Sequence, residues 1–144
     1  MCIRDSYYRQ PELTKRAFDE DGFFHTGDLF QIIDERTIAF FDRKKDIIKR
    51  GGFPISSAEV EDIIKKHPKI MDAAVVGYPD ERLGERVCAF VVPKPGESIT
   101  LEEIKELMKE SGVAFYKWPE KLVIVNQIPR NLLGKVQKLS LIHI

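Results

Sequence analysis

A run of charge closed by two glycines is the first place in this chain where chemistry could sit. Between Asp42 and Ile55 (DRKKDIIKRGGFPI) stand Arg43, Lys44, Lys45, Lys49 and Arg50, five cations in eight residues, interrupted by Asp42 and Asp46 and followed by Gly51 and Gly52. Such cations can hold phosphates or carboxylates, and glycines let backbone approach a ligand closely. Upstream, Thr26, Gly27 and Asp28 place a carboxylate just after a residue that tolerates positive φ. That carboxylate can accept both vicinal hydroxyls of a ribose or close an Asx-turn on its own backbone, and three residues alone favour the turn. Downstream, Gly134 and Lys135 lie in the polar loop that begins at Ile128. A P-loop needs glycine at position 129 and Ser or Thr at position 136, where Pro129 and Val136 stand, so that motif is excluded. Lys135 is then either a solvated surface charge or a mobile cation delivered to an anionic transition state.

Other chemistries find less support. His25, His67 and His143 are scattered without metal-ligand spacing, so no metal site is expected. No Ser-His-Asp or Cys-His arrangement follows from spacing, and Cys88 lies inside an apolar strand and reads as core. The Arg43 to Arg50 cluster lacks interleaved aromatics, and Lys plus Arg equals Asp plus Glu at 23 each, so nucleic acid is not an expected partner. No apolar run approaches the ~18 residues of a spanning helix. Cys2 and Cys88 make no disulfide framework and the first residues carry no apolar signal region, so a reducing, cytoplasmic setting is expected.

The elements that position these residues can be read in order. With 144 residues and 43% hydrophobic content, the chain has room for a core of ordinary size. Met1 to Ser6 and Leu139 to Ile144 continue no neighbouring pattern and are read as non-native ends. A short helix is predicted over Leu13 to Phe18, capped by Thr14 or begun after Pro11. Leu29 to Ile33 and Thr37 to Phe41 predict a hairpin, and Ile47 to Lys49 with Phe53 to Ile55 a tighter one around Gly51 and Gly52. Ser56 and Glu59 form a capping box for a helix whose inner face is Val60, Ile63 and Ile64, stopped at Pro68. Strands follow at Ile70 to Gly77 and Val87 to Val92, separated by a turn at Tyr78, Pro79 and Asp80 and a charged loop. Thr100 and Glu103 cap a second helix burying Ile104, Leu107 and Met108 and ending at Gly112, and Leu122 to Val125 is a third strand. The fold class is α+β: a small C-terminal domain with a β-hairpin followed by a three-stranded sheet packed with helices, preceded by a β-rich segment.

In combination these motifs resemble one family. Gly22 to Asp28 (GFFHTGD), Asp42 to Gly52 (DRKKDIIKRGG), Glu59 to Glu61 (EVE) and Pro129 to Lys135 (PRNLLGK) occur in the order and spacing of the C-terminal part of adenylate-forming enzymes. That superfamily includes acyl-CoA synthetases, adenylation domains of peptide synthetases and firefly luciferase. The resemblance spans roughly Tyr7 to Lys138. It implies that residues 1–44 are the end of a large N-terminal domain, that 45–138 are the C-terminal lid domain, and that 139–144 are a tail. It implies ATP, a carboxylic acid and CoA as ligands, acyl-adenylate and then thioester formation, and Mg²⁺ held by the missing N-terminal part.

By the same resemblance, Asp28 holds the ribose hydroxyls of ATP and Arg43 makes a second nucleotide contact. Lys45 is the hinge about which the lid rotates between half-reactions. Lys49, Gly51 and Gly52 lie on the hairpin that serves thioester formation, the glycines leaving passage for the pantetheine arm. Lys135 contacts the acid's carboxylate and the phosphates during adenylation. The turn from Asp34 to Thr37 departs from the pattern by lacking a glycine. In the family the phosphate loop, the acyl pocket and the magnesium-positioning acid lie upstream of Tyr7, so the chain is expected to be inactive alone. Leu83 to Phe90 and Gly112 to Pro119 are similar to segments of fatty or alicyclic acid–CoA ligases, which favours CoA. The alternatives are an aryl-acid–AMP ligase that passes the acyl group to a carrier protein and, from another class, a non-catalytic nucleotide- or CoA-binding or interaction module.

Overall fold

The computed structural model describes residues 6–142; of the terminal hexapeptides, 1–5 with Cys2 and 143–144 with His143 lie outside them. The chain divides between Lys44 and Lys45 into two compact units.

In the first unit Pro11 opens helix α1 (Pro11–Ala17) at its first position, where a missing N–H costs nothing. Thr14 does not cap it; its hydroxyl accepts from Tyr7 N. Strands β1 (Asp28–Ile32) and β2 (Ile38–Arg43) form an antiparallel ribbon with a register shift at Leu29/Phe30. Alternation puts Phe30 and Phe40 on one face, ring centroids 5.9 Å apart and edge to face, yet Phe40 stays 56% exposed and Phe23 71% exposed. Phe41 falls on the opposite face and is half-buried. A two-stranded ribbon with so much apolar surface in water has little core of its own.

The second unit is an α+β fold built on one five-stranded sheet. Strands β3 (Ile48–Arg50) and β4 (Phe53–Ile55) form the tight hairpin around Gly51 and Gly52, both at positive φ (56° and 86°), as a two-residue turn requires. Helix α2 (Ser57–Ile64) follows, Ser56 Oγ accepting from Glu59 N. Strands β5 (Ile70–Asp80) and β6 (Gly84–Pro93) pair antiparallel from Ile70↔Pro93 to Asp80↔Gly84. Tyr78, Pro79 and Asp80, predicted as a turn, therefore continue the strand. Pro79 is tolerated because β5 is an edge strand, and the actual turn is closed by Asp80 Oδ1 accepting from Arg82 N and Leu83 N. Helix α3 (Leu101–Glu110) carries the full Thr100–Glu103 capping box, and β7 (Lys121–Ile124) returns parallel to β6.

Both faces of the sheet are covered, which explains why β5 and β6 read as continuous apolar runs. Ala73, Val75, Val87, Ala89 and Val91 face α2 and α3, meeting Val60, Ile64, Ile104 and Met108. Ala74, Val76, Cys88, Phe90 and Val92 face the C-terminal stretch, where Ile128 and Leu141 are buried. Leu141 belongs to a short helix, α4 (Lys138–Ile142), in a stretch where the sequence predicted no contribution to the fold. Its first residue explains its seat: Lys138 Nζ reaches Ser57 Oγ at 2.6 Å and Glu61 Oε1 at 2.9 Å.

The difference in core predicts a difference in local opening. Backbone amides of Ala39 and Phe40 should exchange with solvent roughly tenfold or more faster than those of Ala74 to Val76. Equal protection, read by native-state hydrogen exchange, would show that the ribbon has a core of its own.

The α3 cap predicts a pH dependence. Glu103 accepts from Lys69 Nζ at 2.6 Å and from Thr100 N at 2.8 Å, and these bonds, the lysine's first, pull its carboxyl down to about 2. A depressed pKa contributes stability above the unfolded value of 4.5 that is lost as pH falls through about 2. The urea midpoint of the wild type should therefore fall more steeply between those pH values than that of Glu103→Gln. Parallel slopes would remove Glu103 from the account.

Candidate functional site

Three groups of residues carry the chemistry proposed from sequence. The first lies on the ribbon. Register places Asp28 directly across from Arg43, with Arg43 Nε 3.5 Å from Asp28 Oδ1. Gly27 (φ 77°) turns the chain into β1, its carbonyl accepting from Lys44 N at 2.8 Å, and the Thr26 hydroxyl accepts from Asp28 N at 3.1 Å. The turn is thus closed by Thr26 and not by the Asp28 carboxylate. That leaves a half-buried acid beside an exposed guanidinium, 33% and 43% accessible, an acceptor next to a donor fork.

The second group is the β3–β4 hairpin. Lys49 is exposed, and its backbone N–H donates to Glu85 Oε2 at 2.6 Å. Gly51 N donates to Leu83 O at 2.8 Å, and Arg50 Nη2 to Glu120 Oε1 at 2.7 Å. A side chain on Gly52 would meet nothing within 4 Å, so the turn presents open space there. Lys45, also exposed, is the first residue of the second unit and precedes this hairpin.

The third group is the loop bearing Lys135, and it is more ordered than its composition suggests. Asn131 Oδ1 accepts from Leu133 N at 3.0 Å and Lys135 N at 2.9 Å, while Asn131 N donates to Lys135 O at 2.9 Å. Arg130 ties the loop to the sheet, donating to Gly134 O at 2.8 Å and to Asp72 Oδ2 at 2.5 Å. Gly134 takes φ 78°, which a β-carbon would strain. The result is a fixed tip that holds Lys135, Leu132 and Leu133 out in solvent, Leu132 completely. Asn131 and Arg130 were not singled out in the sequence. An Asn two residues before a backbone N–H it can accept was the available signal.

The structure brings Asp28 and Arg43 together, and Lys49, Gly51 and Gly52 together. It does not bring Lys135 to the hairpin. The Lys135 loop is anchored at Asp72, near the start of β5, and the Gly51 turn is anchored at Leu83, past its far end. The eight residue-to-residue steps from Asp72 to Asp80 span about 27 Å at strand rise. Cys88, buried, has its thiol pushed up to about 11 by desolvation, so it offers no thiolate. Among the described residues no group of three or more His, Cys, Asp or Glu could hold a metal ion, and no helix is long and apolar enough to cross a membrane.

Comparison with known proteins gives the same assignment from sequence and from fold. The AMP-binding enzyme C-terminal domain matches residues 59–135. The chain is 52% identical over 136 residues to the medium-chain fatty-acid–CoA ligase of Escherichia coli, covering 94% of this chain and 24% of that one. It is 38% identical over 135 residues to the vibriobactin-specific 2,3-dihydroxybenzoate-AMP ligase of Vibrio cholerae, covering 94% and 25%. The crystal structure of ATP-bound MatB from Rhodopseudomonas palustris superposes with a TM-score of 0.85 at 39% identity, covering 95% of this chain and 27% of that one. The chain thus spans about a quarter of the length of the curated relatives it matches. It belongs to the AMP-binding enzyme C-terminal domain family, the C-terminal portion of the adenylate-forming enzymes.

Proposed function

We propose that this chain is the C-terminal segment of an AMP-forming carboxylic acid–CoA ligase. In the first half-reaction a carboxylate oxygen attacks the α-phosphorus of ATP, giving an acyl-adenylate and releasing pyrophosphate. In the second, the CoA thiol attacks the acyl carbonyl and AMP leaves. The observation that carries the reading is the placement of two chemistry-bearing turns at opposite ends of one sheet, about 27 Å apart along β5. One presents an exposed lysine, Lys135; the other presents two glycines, Gly51 against the Leu83 side chain and Gly52 with open space beside it. A single reaction centre cannot receive both at once, so a unit built this way serves two steps by turning.

The residues present fit ATP and CoA in kind. Asp28, with its carboxylate free of the local turn, is suited to accept the ribose hydroxyls, and Arg43 beside it to donate to the nucleotide. Lys135 supplies positive charge as two anions are brought together, and a cation that is present only for that step stabilises its transition state selectively. Gly51 and Gly52 leave a path for the pantetheine arm, with Lys49 at its edge. Lys45, exposed at the division of the two units, is the pivot. Magnesium would neutralise phosphate charge, and its ligands are assigned to residues outside this chain, which offers no cluster for it among the described residues. CoA is preferred to a carrier protein as acceptor because the E. coli CoA ligase is the nearer of the two relatives, 52% against 38% identical. The setting proposed is cytoplasmic, with the large N-terminal domain of the same enzyme as partner.

Two variants in a full-length enzyme bearing this segment separate the roles. Lys135→Ala should lower acid-dependent ATP–pyrophosphate exchange by roughly a hundredfold to a thousandfold while acyl transfer from supplied acyl-adenylate to CoA continues. Undiminished exchange would sink the assignment. Lys45→Pro should stiffen the joint and slow acyl transfer more than exchange; equal loss in both would move the pivot elsewhere.

A further inference from the structure

Among the described residues the β3–β4 hairpin joins the rest of the sheet through one backbone pairing, Arg50↔Gly84. In a two-residue hairpin Arg50↔Phe53 and Ile48↔Ile55 are the hydrogen-bonded pairs, so the N–H of Lys49 points away from β4 and toward β6. Pro54 fits opposite Lys49 for the same reason, since the hairpin uses neither N–H there. The Lys49 N–H is met by a side chain: it donates to Glu85 Oε2 at 2.6 Å. The Glu85 carboxylate thus stands in for a missing rung of the β3–β6 ladder.

Gly77 makes room for it. A β-carbon at Gly77 would stand 3.1 Å from Glu85 Cδ, 3.2 Å from Glu85 Oε2 and 3.2 Å from Ile48 Cγ2, closer than ordinary contact. Gly77 does not have positive φ, so the site uses its missing side chain and not its backbone freedom. The neighbouring charges have other duties. Arg86 donates to Asp80 Oδ2 at 2.5 Å and lies 3.9 Å from Glu120 Oε2, and Arg50 takes Glu120 Oε1 at 2.7 Å. Glu85 receives a backbone amide in their midst.

We infer that Glu85, seated on Gly77, is a positioning residue for acyl transfer to the thiol: it fixes the Lys49–Gly52 hairpin in the orientation that admits the thiol arm. Glu85 touches no reacting atom and acts through the Lys49 amide. The inference rests on the reading that this hairpin serves the second half-reaction. It predicts a loss confined to that half-reaction, because the Lys135 loop is anchored at the other end of β5.

The test has a physical and a kinetic arm. In the 144-residue chain, Glu85→Ala should raise hydrogen exchange of the Lys49 amide roughly tenfold or more without changing Val75 or Val76. Glu85→Gln, whose carbonyl still accepts, should keep the protection. In the full-length enzyme, Glu85→Ala should lower acyl transfer from supplied acyl-adenylate to CoA by roughly tenfold to a hundredfold and leave pyrophosphate exchange at the wild-type rate. Glu85→Gln should restore transfer, and Gly77→Ala, which displaces the carboxylate without removing it, should show the same selective loss. Unchanged Lys49 protection, equal loss in both half-reactions, or failure of Gln to rescue would each overturn the inference. If the wild-type enzyme transferred nothing to CoA while Lys49 protection still depended on Glu85, the functional reading would fall and Glu85 would remain only the hairpin's anchor.

Discussion

The antiparallel pairing of β5 with β6 is the constraint on which the second unit depends. It runs from Ile70↔Pro93 to Asp80↔Gly84 and is buried on both faces along its middle. A slip of β6 by one residue would carry Val87, Ala89 and Val91 from the helical face to the other and put Cys88, Phe90 and Val92 in their place. The two faces are not interchangeable. The helical face presents alanines that let α2 and α3 lie close, and the other presents Phe90 to Ile128 and Leu141. Register is therefore fixed from within, and with it the separation of the two ends where the turns are tied.

Charge has a different task. Formal net charge is zero, and several ion pairs sit at the ends of the sheet: Arg130 and Lys65 on Asp72 at one end, Arg86 on Asp80 and Arg50 on Glu120 at the other. Partly solvated pairs are screened and contribute little beside the burial of an Ile or Val side chain, roughly 1.5–3 kcal/mol each. They do not hold the fold together. Their value lies in direction: Arg130 on Asp72, Arg86 on Asp80 and Arg50 on Glu120 fix the bearing of the turns beside them, and Glu85 does the same through the Lys49 amide.

What could be read from sequence follows from which interactions are local. The hairpin at Gly51 and Gly52, the Thr100–Glu103 cap and the inner faces of α2 and α3 were legible because turn chemistry, capping and periodicity operate within a few residues. Tyr78 to Asp80 misled because proline and aspartate signal a turn, whereas an edge strand accepts proline and Asp80 closes the turn that begins after it. The Arg130–Asp72 tie joins residues far apart in sequence, as do Lys49–Glu85 and Arg50–Glu120, and no spacing rule finds them. The Asp28–Arg43 pair lies between. Both residues were marked by resemblance, but their meeting across the ribbon depends on a register that contains a bulge.

Both chemistry-bearing turns of the second unit are held at several points. Asn131 and Arg130 brace the Lys135 loop, and Glu85, Leu83 and Glu120 brace the glycine turn. Turns fixed in this way do not reach a distant centre by bending. Under the proposed assignment, exchange of one for the other must be a motion of the unit as a body, and the φ/ψ change falls on the few residues at its start. Lys45 lies there, exposed, before the first buried residue of the new core, Ile48. A charged side chain suits that place because it remains solvated through the rotation, whereas an apolar one would favour whichever orientation buried it. Under that assignment the rigidity of the two turns and the polarity of the joint are parts of one arrangement: the first would require rotation, and the second would let it proceed without preference for either end.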